Sequence, residues 1–174
     1  MSPIPAWPQA FVEHAVLESF LGEINALKPG NVHRFAGGHG MRYEEFLVSA
    51  QISAPILCHP GLSLGERCLG AIQATRNAVG TNTNLGMVLL FAPIICAAQH
   101  GGTRESLRAA IGEVIASAQQ VDVARIFAAI ALANPGGLGR VPAHDVHREP
   151  DCSLLEAMSA AAGRDTLARQ YTTT

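Results

Sequence analysis

The sequence predicts an all-α protein, a compact bundle of about seven helices with no sheet. Two patterns carry that expectation. Apolar residues recur at helical spacing in almost every segment, and no stretch sustains the period-two alternation of a half-buried strand. Caps built from Ser, Asn or Asp and stops built from Gly or Pro bracket these apolar runs. The chain has 174 residues, enough for one domain, and neither an internal repeat nor a linker divides it.

The elements follow in order. From Phe11, the positions Phe11, Ala15, Leu17, Leu21 and Ile24 make one apolar face, and Lys28-Pro29-Gly30 stops the helix. Pro29 disfavours α geometry at Lys28, and Gly30 permits a turn. A polar, Gly-rich loop runs to Gly40, and a second helix is expected from Arg42 to Leu57. Ser63 with Glu66 is a capping box, which starts a third helix that Gly80 ends near Val79. Asn82, Thr83 and Asn84 can cap a fourth, buried helix running to His100. Its apolar stretch, Leu85 to Ala98, is interrupted by Pro93 and is shorter than the ~20 residues a bilayer requires. A fifth helix starts at Thr103, and Asp122 is the expected N-cap of a sixth that ends at Ala133. After the irregular loop from Asn134, Ser153 with Glu156 repeats the capping box before a last helical stretch through Tyr171. That stretch stops in three threonines, which predicts the N-terminal part of a longer domain.

Composition narrows the function. Apolar residues are 48% of the chain and charged residues 15%, so either a large share of the chain is expected to be buried, or apolar surface is expected to face a partner, a homo-oligomer or a further segment of chain. The formal net charge of −2 supplies no basic field for nucleic acid. Met1 to Pro8 has neither a basic n-region nor an apolar h-region, and with no spanning stretch the expectation is a cytoplasmic protein without membrane contact. Cys58, Cys68, Cys96 and Cys152 form no CxxC pair and are expected to be buried thiols. The pairs His33/His39 and His144/His147 lack the i, i+4 spacing of a zincin helix, so no metal site of the protein's own is expected.

Three polar loops stand out against this apolar background: Lys28 to Gly40, Gly80 to Gly86, and Asn134 to Arg148. A phosphate chain needs cations, backbone N–H groups freed by glycine, and a helix N-terminus aimed at it. Lys28 and Arg34 supply cations beside Gly30, and Asn82 to Asn84 stand at a helix start. Taken alone, each of the first two loops is also an ordinary helix connector. The third lacks a following GK[ST] and reads as a surface loop. A nucleotide-borne Mg²⁺ needs few protein carboxylates, and Glu23, Glu66, Asp145 and Asp165 are candidates by composition.

In order and register, these segments resemble the triphosphoribosyl-dephospho-CoA synthase family. The resemblance runs from Glu23 through Lys28-Pro29-Gly30 and Arg34 to Gly37 and His39, and resumes at Phe46, Ser49 and Ala50. Its strongest later element is Gly80-Thr81-Asn82-Thr83 with Gly86, similar to the family's GVNT-x-x-G. The chain departs from the family in four places. Asn31-Val32-His33 replaces the usual LVD, and Gly40 leads directly to Met41 without the usual acidic residue. Asn84-Leu85 stands where His-Lys is usual, and the family's later Asp-containing motif has no counterpart.

The resemblance implies that the ribose C1' of ATP is attacked by the 2'-hydroxyl of dephospho-CoA and that adenine leaves. It implies phosphate or ribose contacts from Lys28, Gly30, Arg34, Asn82, Thr83 and Asn84. It also implies Glu23 as base or Mg²⁺ ligand, His39 as proton shuttle, Mg²⁺ with ATP as cofactor, and a dephospho-CoA-like small molecule as partner. Two other functions are compatible with the same sequence, a divergent or inactive nucleotide-binding module and an oligomeric structural or interaction domain.

Overall fold

The computed structural model describes residues 7–28, 31–38, 40–100 and 104–173. Among them the fold is all-helical, with eight helices where the sequence suggested about seven. They are α1 (Gln9–Asn25), α2 (Tyr43–Leu57), α3 (Leu64–Val79), α4 (Leu85–Gln99), α5 (Arg104–Ala116), α6 (Gln120–Ala133), α7 (Leu154–Ala161) and α8 (Thr166–Tyr171). The extra helix arises because the last helical stretch breaks after Ala161. Asp165 then caps α8, its carboxylate accepting from the N–H groups of Leu167 (2.7 Å) and Ala168 (3.1 Å). Among the described residues the only extended pairings are isolated bridges at His33–Ala36 and Gly38–Met41, which close tight turns and form no strand.

Both predicted capping boxes form. Ser63 Oγ accepts from the Glu66 N–H, and Glu66 Oε2 accepts from the Ser63 N–H at 2.9 Å. Ser153 and Glu156 repeat the pattern at α7. Gly80 ends α3 at φ +75°, a left-handed conformation that costs glycine little. The expected N-cap of α6 is corrected. Gln119 occupies that position, and Asp122 sits one turn inside the helix, 7% exposed. Its Oδ1 accepts from Ser63 Oγ (2.5 Å) and from the Gly65 N–H (2.9 Å), so it caps α3 across the interface instead of its own helix. A carboxylate at the positive end of a neighbouring helix compensates its own burial.

Hydrogen bonds establish which way the helices run. α2 and α3 are antiparallel, because Ser53 meets Thr75 (3.0 Å) and the Leu57 carbonyl meets the Arg67 guanidinium. α1 and α4 are antiparallel as well, with Gln9 bonded to Gln99 (3.0 Å) and Phe20 edge-on to Phe91. Since Asp122 meets Ser63 and Gly65, α3 and α6 share one direction. Three polar segments are therefore brought to a single end of the bundle: the loop after α1, the turn between α3 and α4, and the loop leaving α6.

The opposite end is closed by structural polar groups. Arg67, 3% exposed, donates to the carbonyls of Leu57 and Leu62 and to Gln99 Oε1 (2.7 Å). Its charge offsets the negative end of α2. All four cysteines are free and buried, as expected from their spacing.

Pro93 lies inside α4, which runs through it to Gln99, close to the end at His100 that the sequence suggested. A proline inside a helix removes the N–H that would bond the carbonyl four residues earlier, here that of Leu89. The Tyr171 hydroxyl of α8 donates to that carbonyl from a side chain only 2% exposed. The last helix thus supplies the donor that the buried helix lacks. No single helix among the described residues is long and apolar enough to cross a membrane.

Candidate functional site

The polar end is organised around α1, α2 and the start of α4. Glu23 lies in the last turns of α1, and Lys28 follows the helix end. Lys28 Nζ bonds Glu23 Oε1 at 2.5 Å, with both side chains partly exposed. One of the three ammonium donors is spent on this pair, and the others are open to a ligand. The loop then folds back, the Arg34 N–H donating to the Ile24 carbonyl at 3.1 Å. The Arg34 guanidinium rests over the Phe35 ring at 5.9 Å, and Phe35 is 75% exposed, so this cation stands outside any pocket. Gly30 and His39 lie outside the described residues.

The turn before α4 divides its three residues between different tasks. Asn82 performs the cap, its Oδ1 accepting from the Leu85 N–H at 3.1 Å. Thr83 Oγ1 donates to Ser49 Oγ (2.6 Å), which itself donates to the Glu45 carbonyl (2.6 Å). Asn84 occupies the N-cap position without making a cap bond. Its Nδ2 turns inward to Ser53 Oγ (2.7 Å) and Thr75 Oγ1 (3.2 Å). Ser49, Ser53, Thr75 and Asn84 are all buried, a polar seam joining α2, α3 and α4 beneath the turn. One acceptor in that seam, Asn84 Oδ1, has no partner.

Asn82 also lies on the rim of a cleft of about 600 Å³. Its walls are α4 at Leu85 and Gly86, α6 at Phe127 and Ile130, the segment from Pro135 to Val146, and α7–α8 with Arg164 and Asp165. The third polar loop is therefore a wall of the cleft, where the sequence suggested only a surface loop. Gly137 (φ +79°) and Gly139 (φ +60°) take left-handed backbone there, which leaves their N–H groups unshielded by side chains. The N-terminus of α4 and the Arg164 side chain border the same space. A glycine loop, a helix start and a cation around one cleft form a surface suited to an anionic ligand.

Asp145 organises this wall. Its carboxylate accepts from the His147 N–H (2.9 Å), bonds the His147 ring (2.8 Å), and accepts from the Val141 N–H (3.1 Å). These bonds, that of the His147 backbone foremost, hold the carboxyl well below the usual carboxylate range. So engaged, Asp145 has little capacity left to ligate a metal. Of the other carboxylates named from composition, Glu66 is at the opposite end, Asp165 borders the cleft while capping α8, and Glu23 keeps Oε2 beyond its bond to Lys28.

The CitG model, described as ATP:dephospho-CoA triphosphoribosyl transferase, matches residues 9–174. The chain belongs to the CitG family. No curated protein and no solved structure gives a significant match. Membership agrees with the resemblance carried by Lys28-Pro29-Gly30 and Asn82-Thr83, and the CitG family is one of transferases. Sequence reasoning missed one participant in the cleft of this CitG chain and set another aside as surface. Arg164 had only a helical context, and Gly136 to Gly139 lacked a phosphate-loop motif. The run of glycines opposite Asn82 was the available signal, and recognising it required the shared direction of α3 and α6.

Proposed function

We propose that this chain transfers the triphosphoribosyl group of ATP to the 2'-hydroxyl of a dephospho-CoA-like acceptor, releasing adenine. The observation that carries the reading is the gathering of the two family motifs at one end of the bundle, beside a cleft with an anion-suited wall. In the reaction a C1'–O2' bond forms and the C1'–N9 bond breaks. The hydroxyl proton passes to a base, and the departing adenine takes up a proton.

Lys28 holds phosphate charge with the donors that Glu23 leaves open, and Gly30 lets the backbone approach. Asn82 and Thr83 border the ribose or phosphates, with Arg34 a further cation at the loop. Asn84 is buried and acts by holding the turn against α2 and α3. Glu23 receives the hydroxyl proton or ligates Mg²⁺ through Oε2, and His39 carries a proton within the same loop. Mg²⁺ fits as a nucleotide-borne ion, because a carboxylate oxygen beside the phosphate lysine matches its preference for a few hard oxygen ligands. When bound, it neutralises triphosphate charge.

The test is mass-spectrometric detection of adenine from ATP, Mg²⁺ and dephospho-CoA, with Lys28→Ala alongside. The expected outcome is adenine release by the parent protein and a fall of about 10²-fold or more in the variant, as for loss of an electrostatic contact to transferring charge. No adenine from the folded parent protein, or full activity in the variant, refutes the assignment.

A further inference from the structure

We propose that His144, Asp151 and Cys152 form a site for a borderline-soft divalent cation of the Zn²⁺ type. One ligand atom from each of the three lies within 4.8 Å of the other two. His144 Nδ1 and Asp151 Oδ1 are 3.2 Å apart. In a tetrahedral Zn²⁺ site, with bonds of about 2.0 Å to nitrogen and oxygen, the N···O edge is about 3.3 Å. That edge is present already, and a small closure of the thiol completes one face of the tetrahedron.

The donor set selects the metal. Imidazole, thiolate and a single carboxylate suit Zn²⁺ or Co²⁺ and are poor for Mg²⁺, which takes hard oxygen ligands. This cation is therefore distinct from the Mg²⁺ that accompanies ATP. Binding displaces the Cys152 thiol proton to solvent.

The three side chains differ in setting as a half-open site requires. Cys152 is 6% exposed beside the start of α7, His144 is partly exposed, and Asp151 faces solvent. His144 sits at φ +54°, one of two described non-glycine residues with left-handed backbone, and this conformation directs the chain back toward Asp151. A metal would tie the loop after α6 to the start of α7. His144 also lines the 600 Å³ cleft, so the fourth coordination position would open near its wall. Sequence spacing gave no hint, because the ligands are separated by six residues of irregular backbone and matched no zinc motif.

The full chain is stripped with a chelator, and Zn²⁺ affinity is measured by competition with a chromophoric chelator, without nucleotide. Co²⁺ spectra are recorded in parallel. One equivalent of Zn²⁺ is expected, together with a near-ultraviolet thiolate-to-Co²⁺ band that disappears in Cys152→Ser. Asp151→Asn and His144→Gln, both at accessible positions, are expected to weaken binding by at least ~10-fold, since even outer-sphere losses cost that much. They keep the proposal testable if the buried Cys152 variant fails to fold. Folded protein that takes up no Zn²⁺, affinity unchanged in both accessible variants, or a Co²⁺ complex without the thiolate band would overturn it. Adenine release plays no part in these readouts, so a failure here leaves the transferase reading standing, and the reverse holds as well.

Discussion

Tyr171→Phe isolates one hydroxyl whose role follows from a proline 78 positions earlier in the chain. Pro93 denies the Leu89 carbonyl its helical partner, and the Tyr171 O–H takes that place in the core. Removing the hydroxyl leaves a buried carbonyl unsatisfied, at a cost of ~1–3 kcal/mol. For a chain of this length, each kcal/mol lowers Tm by ~2–4 °C. The decisive comparison is a double-mutant cycle in urea, followed by circular dichroism. In Pro93→Ala the new N–H can serve Leu89, so the tyrosine hydroxyl becomes redundant there. Tyr171→Phe should then cost under ~1 kcal/mol, on the low side of what a single net hydrogen bond contributes. Equal losses in the two backgrounds, within ~0.5 kcal/mol, would mean that the hydroxyl's contribution does not depend on Pro93 and that the proline argument is wrong.

Two further outcomes test the packing and the caps. Gly65→Ala puts a Cβ 2.6 Å from Asp122 Cα and 2.7 Å from its carbonyl oxygen, both backbone atoms of α6, and should destabilise by at least ~1–3 kcal/mol. Gly22→Ala, with nothing within 4 Å, should instead stabilise α1 by about 0.5–1 kcal/mol; equal effects in thermal melts would sink the close-approach argument. The Ser63 N–H, followed by Arg125, holds the Glu66 carboxyl below its ordinary value against a smaller opposing effect of burial. A depressed pKa gives stability that is present above the unfolded value of ~4.3 and lost as pH falls through the folded one. The stability difference between the parent protein and Glu66→Gln should therefore shrink between pH ~5 and pH ~3, and a flat difference in urea titrations would exclude this cap as its source.

Most of the helices were legible because each carries local signals that agree with one another. Ser63/Glu66 and Ser153/Glu156 announced their helix starts, and Gly80 announced a stop that its φ of +75° confirms. Reading failed where a residue serves a distant partner. Asp122 looks like a cap for its own helix, yet it caps α3 at Gly65, 57 residues earlier. Pro93 signals a carbonyl without its helical donor, but nothing local shows that Tyr171, 78 residues later, meets it. Of the candidate site, the two motif-bearing loops were visible as polar islands in an apolar chain. The third loop was visible too but read as surface, and Arg164 was not seen, because their relevance depends on α6 running beside α3 and delivering Asn134 to the end where Asn82 stands.

The two ends of the bundle divide the buried polar groups by how fully they are satisfied. At the far end, Arg67 and Asp122 meet carbonyls, an amide and helix N–H groups, and they close the structure there. At the near end, the seam beneath the Asn82 turn keeps one buried acceptor without a partner, and Lys28 keeps donors beyond its pair with Glu23. A protein interior leaves few polar atoms orphaned, because each costs about as much as a lost hydrogen bond. The unpartnered acceptor lies directly under the turn that carries the family motif. The same turn borders the cleft at Asn82, while Thr83 bonds Ser49 and Asn84 bonds Ser53 and Thr75. The turn that borders the cleft is therefore also the one that ties α4 to α2, through Ser49 and Ser53.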